Sequence, residues 1–208
     1  MIGAAFFSDH DLITLVTIVR TLPILSLAFA LLPSLALADA AATKEKAQVC
    51  AACHGPDGNS VNPLWPTLAG QTARYLNLQL RDFKEGRRKD PLMSPVAATL
   101  SREDMQELAD YFSQQKQLPA KFNPDPAKVA QGKKIADDAL CPMCHLGGFS
   151  GQNEIPRVAA QQYDYVVKQL KDFRDRKRTN DAGNMTAYTR GLTDEQIEAL
   201  AQYASSLY

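Results

Sequence analysis

The 208-residue sequence predicts an all-α fold in which one unit of about three main helices is written twice. Three observations carry that expectation. No segment sustains the apolar–polar alternation of a strand, whereas several place apolar residues at i, i+4 and i+7. A Cys-x-x-Cys-His string occurs twice, as Cys50-Ala51-Ala52-Cys53-His54 and Cys141-Pro142-Met143-Cys144-His145, and uses every cysteine in the chain. The sequence after each string also repeats. Tyr75, Leu80, Asp82 and Phe83 return 90 positions later as Tyr165, Leu170, Asp172 and Phe173, and Met93, Leu100, Leu108 and Tyr111 return 92 later as Met185, Leu192, Leu200 and Tyr203. Such drift is what small loop insertions leave in a duplicated unit.

Residues 1–38 are expected to be a signal peptide. The apolar h-region Thr21–Leu32 closes on Ala36-Leu37-Ala38, a small-x-small cleavage signature, which sets the mature start at Asp39. If uncleaved, the stretch Leu12–Leu37 is long enough to act as a membrane anchor, although Arg20 interrupts it. Asp9 and Asp11 stand where a basic n-region belongs, as an upstream start codon would produce. Cleavage leaves basic and acidic residues almost balanced, which gives no field suited to nucleic acid. Domain one is expected over 39–118, a stiff linker with three prolines over 119–126, and domain two over 127–208.

In each half the first helix is expected over about Thr43–Ala52 and Lys128–Cys141, leading into the cysteine string. The second covers about Thr72–Glu85 and Gln162–Lys177, with Leu76, Leu80 and Phe83, and Val166, Leu170 and Phe173, on one face. The third begins at Ser101 and Thr193, N-cap residues followed by acids. Met105, Leu108 and Phe112, then Ile197 and Leu200, form its inner face. A half of roughly 85 residues is small for a self-sufficient core, and a buried prosthetic group supplies apolar mass.

The strings say which group. Cys-x-x-Cys-His is the attachment signal of c-type haem: one helical turn sets two thiols on one side, where each adds to a vinyl group, and the histidine reaches the iron. Two strings predict two covalent haem c groups, bound through Cys50 and Cys53 and through Cys141 and Cys144. Haem c is attached outside the cytoplasm, so the chain is expected to be exported.

Axial ligands follow by elimination. His10 leaves with the leader, so His54 and His145 are the proximal ligands and no histidine remains for a distal role. Met1 is the initiator, Met143 lies inside the second string, and Met105 sits on a core stripe where methionine packs. Met93 and Met185 remain, in matching loop sequence between the second and third helices, as the distal iron ligands. A thioether raises the reduction potential and a filled sixth site excludes oxygen and peroxide. The expected function is therefore electron transfer without catalytic residues. The rivals are a zinc site, a disulfide pair, a thioredoxin-like Cys-x-x-Cys and a two-haem peroxidase. Zinc needs ligands from distant strings to converge, the redox motif needs a strand–helix context, and a peroxidase needs an open iron. The basic runs Arg87-Arg88-Lys89 and Arg174–Arg178 read as solvated helix C-termini, with a partner or propionate contact as the alternative. Trp65, Tyr75 and Tyr165 read as haem-pocket walls.

With these motifs in place, the chain resembles the cytochrome c4 family. Cys50–Asn59, Leu68-Ala69-Gly70-Gln71 and Tyr75–Phe83 resemble its first domain, and Tyr165–Phe173 and Arg178–Asp181 its second. The resemblance implies two tandem class I cytochrome c domains with facing haem edges, in the periplasm. It also implies transfer from a cytochrome bc complex towards a haem-copper terminal oxidase. The two-haem cytochrome subunit of a dehydrogenase, such as a sulfide-oxidising flavocytochrome, is the alternative. It further implies that a proline carbonyl holds the proximal ring N–H, and Pro66 and Pro156 match that position. Val158-Ala159-Ala160-Gln161 and Leu146-Gly147-Gly148 depart from the family pattern and bear on the shape of the second pocket.

Overall fold

The computed structural model describes residues 32–208, with side chains from Ala41 onward; the expected leader up to residue 31, His10 included, lies outside these residues. Helices α1 (Leu32–His54), α2 (Ala73–Lys84), α3 (Met93–Ala98) and α4 (Arg102–Ser113) build the first half. Helices α5 (Pro126–Asp138), α6 (Cys141–His145), α7 (Tyr163–Arg174), α8 (Asn184–Thr189) and α9 (Asp194–Ser206) build the second. Among the described residues there is no strand, only an isolated bridge between Gln152 and Ile155. No described helix is long and apolar enough to cross a membrane.

Local chemistry sets the ends. The Thr72 side chain accepts from Tyr75 N–H to start α2. Ser101 with Asp104, and Thr193 with Gln196, close reciprocal capping boxes at α4 and α9. Asp125 caps α5, whose first residue is Pro126, a position that needs no N–H. The first helix of each half differs from the expected span. It runs unbroken to His54 in the first half, but in the second α5 stops at Asp138 and the chain restarts as α6 after Leu140 at φ 57°. Pro142 explains the break, because its ring excludes a helical carbonyl four residues earlier, where the first half has Ala51. The expected methionine loops also differ: Met93 opens α3 and Met185 is the second residue of α8. Pro95 is tolerated because it falls in the first turn of α3.

Each half buries its own core. Ala47, Leu76, Leu108, Ala109 and Phe112 cluster in the first, and Ala136, Phe149, Ala159 and Leu200 in the second. Each large side chain there contributes ~1.5–3 kcal/mol. The cores reach the same packing by different routes. In the first half Phe112 meets Tyr111 edge-on at 5.1 Å, over Gly58. In the second, Ala204 replaces Phe112 and Phe149 replaces Gly58, meeting Tyr203 edge-on at 5.6 Å. The backbone is kept: Leu68 and Ala69 donate to Gly58 O, and Val158 and Ala159 donate to Phe149 O. Ala160 (φ 54°) likewise takes the left-handed turn of Gly70 (φ 66°), so the departures from the family pattern leave this scaffold intact.

The halves pack as one compact unit, Thr43–Tyr208. Their contact is polar. Tyr165 N–H donates to Pro63 O at 3.0 Å, Gln162 Nε2 to Ser60 O at 2.7 Å, and Gln117 Nε2 to Ala159 O at 2.9 Å.

Candidate haem centres

In the first half, the last turn of α1 carries Cys50, Cys53 and His54. Cys50 packs against the core and its thiol is pushed up by burial, while Cys53 is exposed. The His54 ring is buried and Nδ1 lies 2.8 Å from Pro66 O. In the second half, α6 carries Cys141, Cys144 and His145, with Cys144 exposed and His145 Nδ1 2.9 Å from Pro156 O. His145 also stacks on Phe149 at 5.9 Å. A carbonyl only accepts, so each Nδ1 carries the proton and each Nε2 keeps its lone pair for a metal. Burial lowers both imidazole pKa values despite the carbonyl contacts, which keeps them neutral and ligand-ready.

Met93 and Met185 are half-buried, each at the start of a short helix tied to an aspartate. Asp90 accepts from Leu92 N–H at 2.9 Å and from Met93 N–H at 3.0 Å. Asp181 accepts from Gly183 N–H at 3.2 Å and from Thr186 N–H at 2.6 Å. Burial alone would raise the Asp181 carboxyl, but these donors hold it below its ordinary value. Met105 is 1% exposed inside the first core, whereas Met143 is 73% exposed on α6. Among the described residues no three His, Cys, Asp or Glu side chains converge as a metal site, so the strings do not assemble into a zinc centre.

The cytochrome c family matches residues 40–116 and 129–207. Cytochrome c4 of Azotobacter vinelandii is 38% identical over 212 residues, covering 93% of this chain and 98% of that protein. The crystal structure of reduced recombinant cytochrome c4 from Pseudomonas stutzeri aligns with a TM-score of 0.76 at 38% identity, covering 81% of this chain and 98% of that one. A thiosulfate dehydrogenase electron acceptor of Thiomonas intermedia is 35% identical over 179 residues, covering 80% of this chain and 82% of that protein. The chain belongs to the cytochrome c4 family.

As a cytochrome c4 it consists of two tandem cytochrome c domains, binds two covalent haem c groups and is an electron-transfer protein, not an enzyme. The residues present fit such a group. Each half offers paired free thiols, a neutral buried imidazole with Nδ1 already engaged, and a half-buried thioether. Exposed apolar side chains flank these donors in sequence, Val49 and Met143 beside the cysteines and Leu92, Val96 and Tyr188 beside the methionines.

Two sequence readings need correction. Tyr75 and Tyr165 are not simply pocket walls: Arg178 Nη2 donates to Tyr75 Oη at 3.1 Å and Arg88 Nη2 to Tyr165 Oη at 3.0 Å, each across the domain boundary. The basic runs are not uniformly solvated either. Arg178 is 8% exposed and also reaches Gln169 at 2.7 Å and Gln79 at 3.0 Å, while half-buried Arg88 reaches Gln79 and Gln169 at 2.8 and 2.9 Å. Arg88 and Arg178 also lie 4.5 Å over Phe83 and Phe173. Burial would raise the Tyr75 hydroxyl, but Arg178 and Arg88 outweigh it and lower the pKa.

Proposed function

We propose that this cytochrome c4 is a periplasmic carrier, exported through cleavage after Ala38, that takes electrons from a cytochrome bc complex and passes them to a haem-copper terminal oxidase. Cys50 and Cys53 hold one haem, Cys141 and Cys144 the other. His54 with Met93, and His145 with Met185, would ligate the two irons. The observation that carries this reading is that the same complete donor set appears in both halves, with each histidine ring fixed by Pro66 or Pro156. Bound haem supplies one-electron iron chemistry. The chain orients the imidazoles through the proline carbonyls, presents a thioether from each aspartate-tied helix, and holds two domains in one body across a polar interface. Arg88 and Arg178 have only neutral partners among their hydrogen bonds, so their charge could be matched by haem propionates.

The ligand assignment is tested with Met93→Ala and Met185→Ala. Each is expected to convert one haem to high spin or water ligation and to lower its potential, leaving the other nearly unchanged. Met105→Ala producing this effect instead would refute the assignment. The pathway is tested by stopped-flow oxidation of the reduced protein by membranes of its own organism, where cyanide-sensitive oxidation is expected. The similarity to a thiosulfate dehydrogenase electron acceptor favours a second reading, electron uptake from a soluble dehydrogenase. Reduction by such an enzyme with no oxidation by membranes would select it.

A further inference from the structure

Two buried glutamines at the domain interface have no part in the sites described so far. Gln71 and Gln161 are each 6% exposed and reach into the opposite domain. Gln161 Oε1 accepts from Thr67 N–H at 2.7 Å, while its Nε2 donates to Thr67 O at 2.9 Å. Gln71 Oε1 accepts from Arg157 N–H at 2.7 Å, and its Nε2 donates to Arg157 O at 2.8 Å. Two backbone groups fix the amide orientation in each case, because an N–H needs an oxygen and a carbonyl needs the NH2. These are not arbitrary peptides. Thr67 N–H and Pro66 C=O belong to one peptide group, and Pro66 O is 2.8 Å from His54 Nδ1. Arg157 N–H and Pro156 C=O belong to another, and Pro156 O is 2.9 Å from His145 Nδ1.

We propose that each domain tunes the other's haem through a relay from glutamine to peptide to proximal histidine. The proposal rests on His54 and His145 being the iron ligands. A peptide whose N–H is engaged by a strong acceptor carries more negative charge on its carbonyl, since consecutive hydrogen bonds polarise one another. A stronger carbonyl acceptor draws the Nδ1 proton and makes the imidazole a more basic ligand. A more basic ligand favours ferric over ferrous iron. Gln161 therefore lowers the potential of the haem on Cys50 and Cys53, and Gln71 lowers that of the haem on Cys141 and Cys144. The docked interface is then part of each redox centre. The Gln161–Thr67 pair is buried while the Gln71–Arg157 pair is partly exposed, so the first haem feels the larger effect.

The test is Gln161→Met and Gln71→Met in the full-length holoprotein, with each haem's reduction followed separately through its own NMR-shifted methyl resonances. Gln161→Met is expected to favour ferrous iron at the first haem by about threefold to tenfold, tenfold being ~59 mV for one electron, and to leave the second haem unmoved. Gln71→Met should favour ferrous iron at the second haem by a smaller factor and leave the first unmoved. The response is crossed: the altered side chain and the responding haem lie in different domains. A merely structural role would move the haem of the altered domain, or both equally. Either result, or no shift in either variant, overturns the relay. If Gln161→Met does not mature, Gln71→Met still reads the same device in the other direction. Failure of the ligand reading is separable, because absence of histidine ligation would appear in the wild-type spectrum, where both glutamines are intact.

Discussion

The compensating exchange of Gly58 and Phe112 for Phe149 and Ala204 makes a sharp test of how the two halves reach one architecture. Gly58 has φ +82°, and a Cβ there would lie 2.7 Å from Phe112 Cδ1, 3.0 Å from Ala69 N and 3.2 Å from Leu68 Cβ. Gly58→Ala should cost ~1–2 kcal/mol for the left-handed backbone and ~1–3 kcal/mol for the overlap, about 2–5 kcal/mol together. Phe112→Ala, which empties the first core, should cost ~3–5 kcal/mol. In the double variant the new methyl enters the space the ring has left, so only the backbone strain and the closer peptide contact remain. The pair should then fall short of additivity by ~1–2 kcal/mol. The assay is denaturant unfolding of the ferric holoprotein followed in the haem absorption, with the transition of each domain fitted separately. Losses that add to within ~0.5 kcal/mol would show that Gly58 and Phe112 do not share one space. A loss confined to the second domain's transition would refute the assignment of the packing to the first.

Three further outcomes are expected. Arg178→Met removes charged donors to Gln169, Tyr75 and Gln79, and should lower stability by ~2–4 kcal/mol in thermal unfolding, against under ~0.5 kcal/mol for Lys177→Met at its exposed neighbour. The same Arg178→Met change should raise the Tyr75 pKa in a spectrophotometric titration, because Arg178 helps outweigh burial there. Asp181 has a depressed pKa, so its support of the Met185 turn is present above the ordinary carboxylate value and is lost as pH falls through the lowered one. Acid titration should therefore release the second haem's methionine only at pH below about 3.9, and Asp181→Asn should weaken that ligation at neutral pH, both read in the His/Met charge-transfer band.

What could be read from the sequence was whatever local chemistry enforces. Thiol spacing for two vinyl groups fits within one helical turn, and the apolar stripes of α2 and α4 follow helical period, so strings, helices and candidate ligands are visible residue by residue. The α5–α6 break departs from the single helix expected over Lys128–Cys141, although its signal, Pro142 at the place of Ala51, is local. The interface was harder to see because nothing local separates Arg88 from Arg87, or Arg178 from Lys177. All sit in basic runs after a helix, and only the opposite domain decides which is buried. Yet a signal was present in the repeat itself. Gln71 and Gln161, Gln79 and Gln169, and Arg88 and Arg178 keep the offset of 90 shown by Tyr75 and Tyr165, although these are polar residues that a solvated surface would leave free to drift. Two copies facing each other about an approximate two-fold must be self-complementary: if a residue of copy one meets a partner in copy two, their counterparts meet as well. Gln71 on Arg157 is therefore matched by Gln161 on Thr67, and Arg88 on Tyr165 by Arg178 on Tyr75. A polar residue duplicated at constant offset is what such an interface writes into a sequence. It identifies the surface by which the domains meet before any coordinate is known.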